Sequence, residues 1–242
     1  MKKQTQRIAL SATPATSAEL RIRQKRGQVT YDALIDTAFA LLAEREFDEI
    51  SIAELAQKAG YSVGAFYARF TSKDELFDAM VQQHVQNRRK VRQRQFAETN
   101  DAQLLHELLD ETVRYYWGRR RFWRACLIRS IREPAFWAPM RKLSHEFADA
   151  LLGRLRASAG RALTNAEDAN VRFAVQLAFG LINNTILNRP GPFFLEQDLF
   201  IENLVRAFKL VSGYDELGAA GTARGAKRSK SGTRSRPKRN RG

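Results

Sequence analysis

The stretch from Ser51 to Lys73 gathers residue types that can grip a polyanion. Ser51 and Ser62 each precede a short apolar-patterned run, where a hydroxyl oxygen can accept an orphan N–H and cap a helix. Gly60 lies between the runs; a residue tolerant of positive φ is what lets a chain end one helix and turn sharply. Phe66 and Phe70 fall one turn apart and anchor the second run inward. The other side of that run carries Val63, Gly64, Ala65 and Ala68, small enough for a helix to lie close against another surface. Beside them, Tyr67 and Arg69 offer a hydroxyl and a guanidinium. Lys73 opens the next helix, where its ammonium and the free N–H groups of a first turn both favour a phosphate. Two short helices across a tight turn form a helix-turn-helix, whose second helix suits the DNA major groove.

Elsewhere the chemistry is sparse. His84, His106 and His145 fall on separate helical stretches with no metal spacing and no nucleophile beside them, and read as partly exposed helical histidines. The single cysteine, Cys126, sits in an apolar pattern and reads as a small buried hydrophobe. There is no glycine-rich phosphate loop, so no enzymatic activity, metal or cofactor is expected.

The elements that must position these residues are helical almost throughout. Thr30 precedes a stripe of Leu34, Ile35, Ala38, Leu41 and Leu42. Ser51-x-x-Glu54, Ser72-x-x-Glu75 and Thr164-x-x-Glu167 have the capping-box form, and Asn100 opens a further stripe of Leu104, Leu105, Leu108, Leu109 and Tyr116. Later stripes are Phe122/Trp123/Cys126/Leu127, Leu143/Phe147/Leu151/Leu155 and Ile201/Leu204/Val205/Phe208. The expectation is an all-α fold of about nine helices. It comprises a flexible basic arm over 1–26, a three-helix helix-turn-helix domain over 27–72, a helical ligand-binding and dimerisation domain over 73–213, and a disordered basic tail over 214–242.

Charge is distributed unevenly. The formal net charge over 242 residues is +15. Residues 1–26 hold +6 and 217–242 hold +9, which leaves 27–216 neutral. Basic ends on a neutral middle suggest a polyanionic partner. Residues 27–80 carry four Lys/Arg against ten acids, so attraction to phosphates must come largely from Arg21, Arg23, Lys25 and Arg26 beside them. No apolar run approaches the roughly 20 residues that span a bilayer. The apolar run Ile8-Ala9-Leu10 behind a basic start is far shorter than the about 7–15 residues of a signal-peptide core. A cytoplasmic, nucleoid-associated protein with no membrane partner is expected.

The second half is aromatic enough to enclose a ligand. Trp117, Phe122, Trp123, Phe147 and Phe179 are the candidate pocket residues, with Tyr115, Tyr116, Phe136 and Trp137 nearby. The stretch 166–187 is apolar around much of its circumference and must be buried on more than one side. Together with 201–211 it could build a bundle across a two-fold axis, with Asn183 and Asn184 bonding across that interface or to a ligand. Residues 81–133 hold twelve Lys/Arg against six acids; Arg88-Arg89-Lys90 and Arg119-Arg120-Arg121 read as solvated faces, with an anionic ligand as the sharper alternative.

Residues 27–80 resemble the DNA-binding domain of the TetR (tetracycline repressor) family. The resemblance is carried by Ala56, Ala59-Gly60, Ser62, Gly64, Phe66-Tyr67, Phe70 and Ser72-Lys73-Asp74-Glu75-Leu76. It implies that Ser51, Val63, Gly64, Ala65, Tyr67, Arg69 and Lys73 contact a double-stranded DNA operator, beside the cap Ser62. Glu46 stands where the family usually has Gly, and Arg69 where a His is common. The resemblance further implies a homodimeric repressor on a palindromic operator, released by a small, largely apolar effector. A non-sensing architectural DNA binder, for which the basic ends would be the main feature, is the alternative. Deleting residues 1–26 is expected to lower DNA affinity and flatten its salt dependence; an unchanged slope in a salt titration would refute a phosphate-binding role for that segment.

Overall fold

The computed structural model describes residues 17–218, with side chains from residue 24 onward. Nine α-helices follow in order: α1 (Ser17–Glu44), α2 (Ile52–Lys58), α3 (Val63–Tyr67), α4 (Lys73–Glu98), α5 (Asp101–Gly118), α6 (Arg120–Arg132), α7 (Ala138–Ala159), α8 (Asn165–Asn188) and α9 (Asp198–Ser212). Short 3-10 turns occupy Phe47–Glu49 and Pro134–Trp137, and the chain is helical again over 214–218. Among the described residues there is no strand, and no helix is long and apolar enough to cross a membrane.

The first helix begins earlier than its apolar stripe suggests. Thr30, which the sequence offers as a cap, lies inside α1, and its hydroxyl donates to the Arg26 carbonyl at 3.1 Å. The reason is propensity. From Leu20 to Arg26 the residues are good helix formers, and a lone Gly27 costs only about 1 kcal/mol in a helix interior. Residues 17–26, expected as part of the flexible arm, are therefore helical; residues 214–218, expected to open the disordered tail, are helical too because Tyr214 and Leu217 are buried; residues 1–16 and 219–242 lie outside the described residues.

The other caps behave as their chemistry requires. Asn100 accepts the N–H of Gln103, and Ser72 that of Glu75, each at 3.1 Å. Thr164 and Glu167 close a complete capping box. At Ser72 the reciprocal bond shifts by one residue, with the Glu75 carboxylate accepting from both the N–H and the hydroxyl of Thr71.

The long helix α4 runs from the first three helices into the body of the molecule. Its inner face is Leu76, Phe77, Met80, Val81, His84, Val85, Arg88 and Arg92, all buried. Two of these correct the sequence reading: His84 is not partly exposed, and Arg88 does not belong to a solvated face. Arg88 is tolerated because its guanidinium forks onto both oxygens of Glu111 on α5 and lies 4.4 Å above the Tyr115 ring. The stripe Ile201, Leu204, Val205 and Phe208 of α9 also packs inward, against α8.

Removing the anion alone strands a buried cation. Because Glu111 is itself partly exposed, Glu111→Ala is expected to cost about 2–3 kcal/mol in urea denaturation. Adding Arg88→Met to it should restore much of the loss; a double variant no more stable than Glu111→Ala would show the ion pair to be unimportant.

Candidate functional site

The segment 51–73 folds as two caps around a turn. Ser51 accepts the N–H of Glu54 and Ser62 that of Ala65, each at 3.1 Å. A hydroxyl that accepts in this way keeps its own proton for another partner. Between the caps, Gly60 has φ +79, the left-handed turn that separates α2 from α3. Glu54 does not close the capping box; it pairs with Arg45 and, at 3.7 Å, with Lys58.

The inner face of α3 is clamped by rings. Phe66 and Phe70 are buried, 5.6 Å apart, and Tyr31 of α1 stands 5.0 Å from Phe70. The outer face is bare. Val63, Gly64 and Tyr67 share one side by helical spacing, and all three are exposed, as are Ser51, Ser62, Ala68 and Arg69; Ala65 is half-buried. A 54% exposed tyrosine next to Gly64 gives a hydroxyl with clearance around it.

Two basic residues are held more tightly than a solvated charge. Arg69 donates from Nε to the Gly27 carbonyl of α1 and from Nη1 to the Ala68 carbonyl, both at 3.0 Å. Two of its five N–H groups are thus committed. A Cβ on Gly27 would lie 3.0 Å from Nη2, so Arg69 also sets how closely α1 approaches. Lys73 is half-buried with Nζ 4.4 Å above the Phe47 ring, and burial lowers its pKa. Lys25 and Arg26, by contrast, are exposed on α1.

The body contains a cavity of ≈550 Å³, walled by α4, α5, α6, α7 and α8 and the turn at Trp137. Of the five aromatic candidates, Trp123 and Phe179 line it. Phe147 lies beside it, its ring 6.0 Å from that of Phe179, and lines a neighbouring groove. Phe122 is buried elsewhere, among Phe39, Phe77 and His84. Trp117 does not line the cavity; Arg120 and Arg189 stack on its ring. Tyr116, stacked 4.2 Å from Trp123, and Trp137 complete the aromatic wall. Asn183 lines the cavity and accepts the Trp123 indole N–H at 2.7 Å, while Asn184 accepts from the Asn188 side chain.

Arg92 was missed by the sequence reading and is the polar feature of this wall. A signal was present: Phe77, Val81, His84, Arg88 and Arg92 recur at helical spacing on one stripe. Nothing in that spacing says whether an arginine at its end is buried or reaches water. Among the described residues, no three His, Cys, Asp or Glu side chains gather as a metal site requires.

A bare-faced second helix behind a glycine turn, carried on a larger helical body with a cavity that opens to solvent, defines a helix-turn-helix protein with a separate ligand-sized compartment. Residues 34–80 match the family described as "Bacterial regulatory proteins, tetR family". The segment that carries the helix-turn-helix is therefore of the tetR-family type. It is 40% identical over 53 residues to the uncharacterized HTH-type transcriptional regulator YwcC of Bacillus subtilis, a match covering 22% of this chain and 24% of that protein. The whole fold is similar to that of a tetR-family transcriptional regulator from Streptomyces coelicolor (21% identity, TM-score 0.58, covering 81% of this chain and 88% of that one). It is also similar to the transcriptional regulator FadR of Bacillus subtilis in complex with stearoyl-CoA (17% identity, TM-score 0.55, covering 76% and 98%).

Ser62→Ala is expected to destabilise the protein by about 1 kcal/mol, and Ser62→Gly by only a few tenths. Urea denaturation checks this; equal stability of all three proteins would deny the cap a structural role.

Proposed function

We propose that this chain is a ligand-responsive DNA-binding transcription regulator, a repressor that binds a palindromic operator as a homodimer and is released by a small, largely apolar effector. The observation that carries the reading is the asymmetry of α3. Its inner side is fixed by Phe66 and Phe70, while Ser62, Val63, Gly64 and Tyr67 stand bare on the other.

The free protons of the Ser51 and Ser62 hydroxyls, the Tyr67 hydroxyl and the three remaining N–H groups of Arg69 suit phosphates and base edges. Val63, Gly64 and Ala65 let α3 seat deeply, and Lys73 adds charge at the start of α4. The first domain is acidic overall, so Lys25 and Arg26, exposed on α1, supply much of the phosphate attraction.

A second copy is the natural cover for α8. Phe173, Leu177 and Leu181 lie at helical spacing on its outer side, between 44% and 52% exposed. A two-helix face of this kind from each copy would bury them in a four-helix bundle, and a two-fold dimer explains a palindromic site. The cavity supports the effector, as does the similarity in fold to a regulator solved with stearoyl-CoA. No catalytic role is proposed, and a DNA-bound regulator of this kind works in the cytoplasm.

Selection of bound fragments from a random DNA pool tests the reading. A palindromic site should be enriched, and Leu177→Glu with Leu181→Glu should give monomers that lose it by more than tenfold at fixed salt. Enrichment of no sequence above background would overturn a specific regulator in favour of a non-sensing architectural binder.

A further inference from the structure

Arg92 stands in the cavity wall at 6% exposure, yet its guanidinium has a single protein partner. Nη1 donates to the Leu143 carbonyl at 3.0 Å, while Nε and Nη2 have none. Those two N–H groups share one edge of the planar group, and that edge is the fork that matches the two oxygens of a carboxylate. An unpaired cation out of water is strongly penalised, and burial lowers the Arg92 pKa to about 10. The neighbouring carboxylates are engaged elsewhere, Glu111 with Arg88 and Glu146 with Arg89.

The rest of the wall agrees in sign. Besides Arg92, Arg141 and Arg172 line the cavity, and no Asp or Glu is among its lining residues. The Arg172 charge is answered from outside the cavity by Asp149 and Asp168. The remaining surface is largely apolar, with Trp123, Trp137 and Phe179 prominent.

We propose that the cavity takes an amphipathic carboxylate, with the carboxylate group seated on the Nε/Nη2 edge of Arg92 and the apolar body among Trp123, Trp137 and Phe179. The proposal rests on the effector reading above and names its ligand class. Both nitrogens lie out of solvent reach, with the Phe147 and Phe179 rings 4.5 and 5.6 Å from the guanidinium. Seating the carboxylate therefore turns the Phe179 ring aside. Phe179 belongs to α8, the helix whose opposite side carries Phe173, Leu177 and Leu181, so the anion acts directly on the helix proposed to pair two copies.

Two acids and their matched neutral amides provide the test: decanoate with decanamide, and 2-naphthoate with 2-naphthamide. Binding to the full chain is read by tryptophan fluorescence, since Trp123 and Trp137 line the cavity, and independently by thermal shift. At least one acid is expected to bind roughly tenfold or more tightly than its amide, the scale of a charge-assisted bidentate contact. Arg92→Met should remove that preference while melting no lower than the wild type, because it deletes an unpaired buried charge. Arg92→Lys, a point charge without the fork, should keep only part of it.

Equal binding of acid and amide by the wild-type protein, binding of none of the four probes, or an undiminished preference in Arg92→Met would each overturn the proposal. The wild-type comparison decides even if a variant does not fold. The acid preference is read without DNA, so its failure is distinct from that of the regulator reading, which falls when no operator is enriched.

Discussion

Phe39, Phe77 and Phe122 meet where the helix-turn-helix domain joins the rest of the chain, and the relative placement of everything else depends on that contact. Phe77 of α4 packs 5.5 Å from Phe122 of α6, which in turn meets Phe39 of α1 edge-on at 5.1 Å. Phe47 and Phe136 close the same cluster from either side, at 4.6 and 6.0 Å from Phe77. Aromatic rings at these separations fill space with few alternative arrangements, so the contact fixes how α1, α4 and α6 pack on one another. Polar ties reinforce it. Arg121 of α6 donates to the Ala43 carbonyl at the end of α1, and Arg129 pairs with Asp78 of α4 at 2.9 Å.

One continuous helix links this joint to the cavity. Phe77 and Arg92 share the inner face of α4, 15 residues apart, which is about 22 Å of helix. Between them lies His84, its Nδ1 3.0 Å from the Tyr115 hydroxyl and its ring among Tyr115, Tyr116, Phe122 and Trp123. Burial, then the charges of Arg88, Arg119 and Arg92, push its pKa down to about 3, so the imidazole is neutral at physiological pH. Of the two arginines beneath α4, Arg88 is neutralised by Glu111 and Arg92 is not. A buried charge is costly unless it is paired, and the arginine without a counter-charge stands at the cavity.

The helix-turn-helix domain resolves an apparent contradiction between its acidity and a polyanionic partner. The face of α3 that is bare carries no carboxylate, and among its flanks Arg69 is steadied by a carbonyl of α1. The early start of α1 matters for the same reason. Lys25 and Arg26 are fixed to a helix that packs on Phe70 through Tyr31, so their charge has a defined position beside α3 rather than that of a loose arm.

Features governed by neighbours along the chain were legible from the sequence alone. The all-helical class, the caps at Ser51, Ser62, Ser72, Asn100 and Thr164, the turn at Gly60 and the inward Phe66 and Phe70 all follow from interactions spanning four residues or fewer. For that reason the segment 51–73 could be read almost residue by residue. What the sequence did not show depended on distant partners. Arg69 meets a carbonyl 42 residues away, and Arg88 finds its anion 23 residues on. Trp117 and Phe122 fell outside the cavity while Tyr116 and Trp137 entered it, because helix packing decides which side of an aromatic stripe faces a void. Sequence periodicity fixes a face of a helix. Only the assembled fold decides whether that face meets core, cavity or solvent, and so whether an arginine such as Arg92 has a counter-charge.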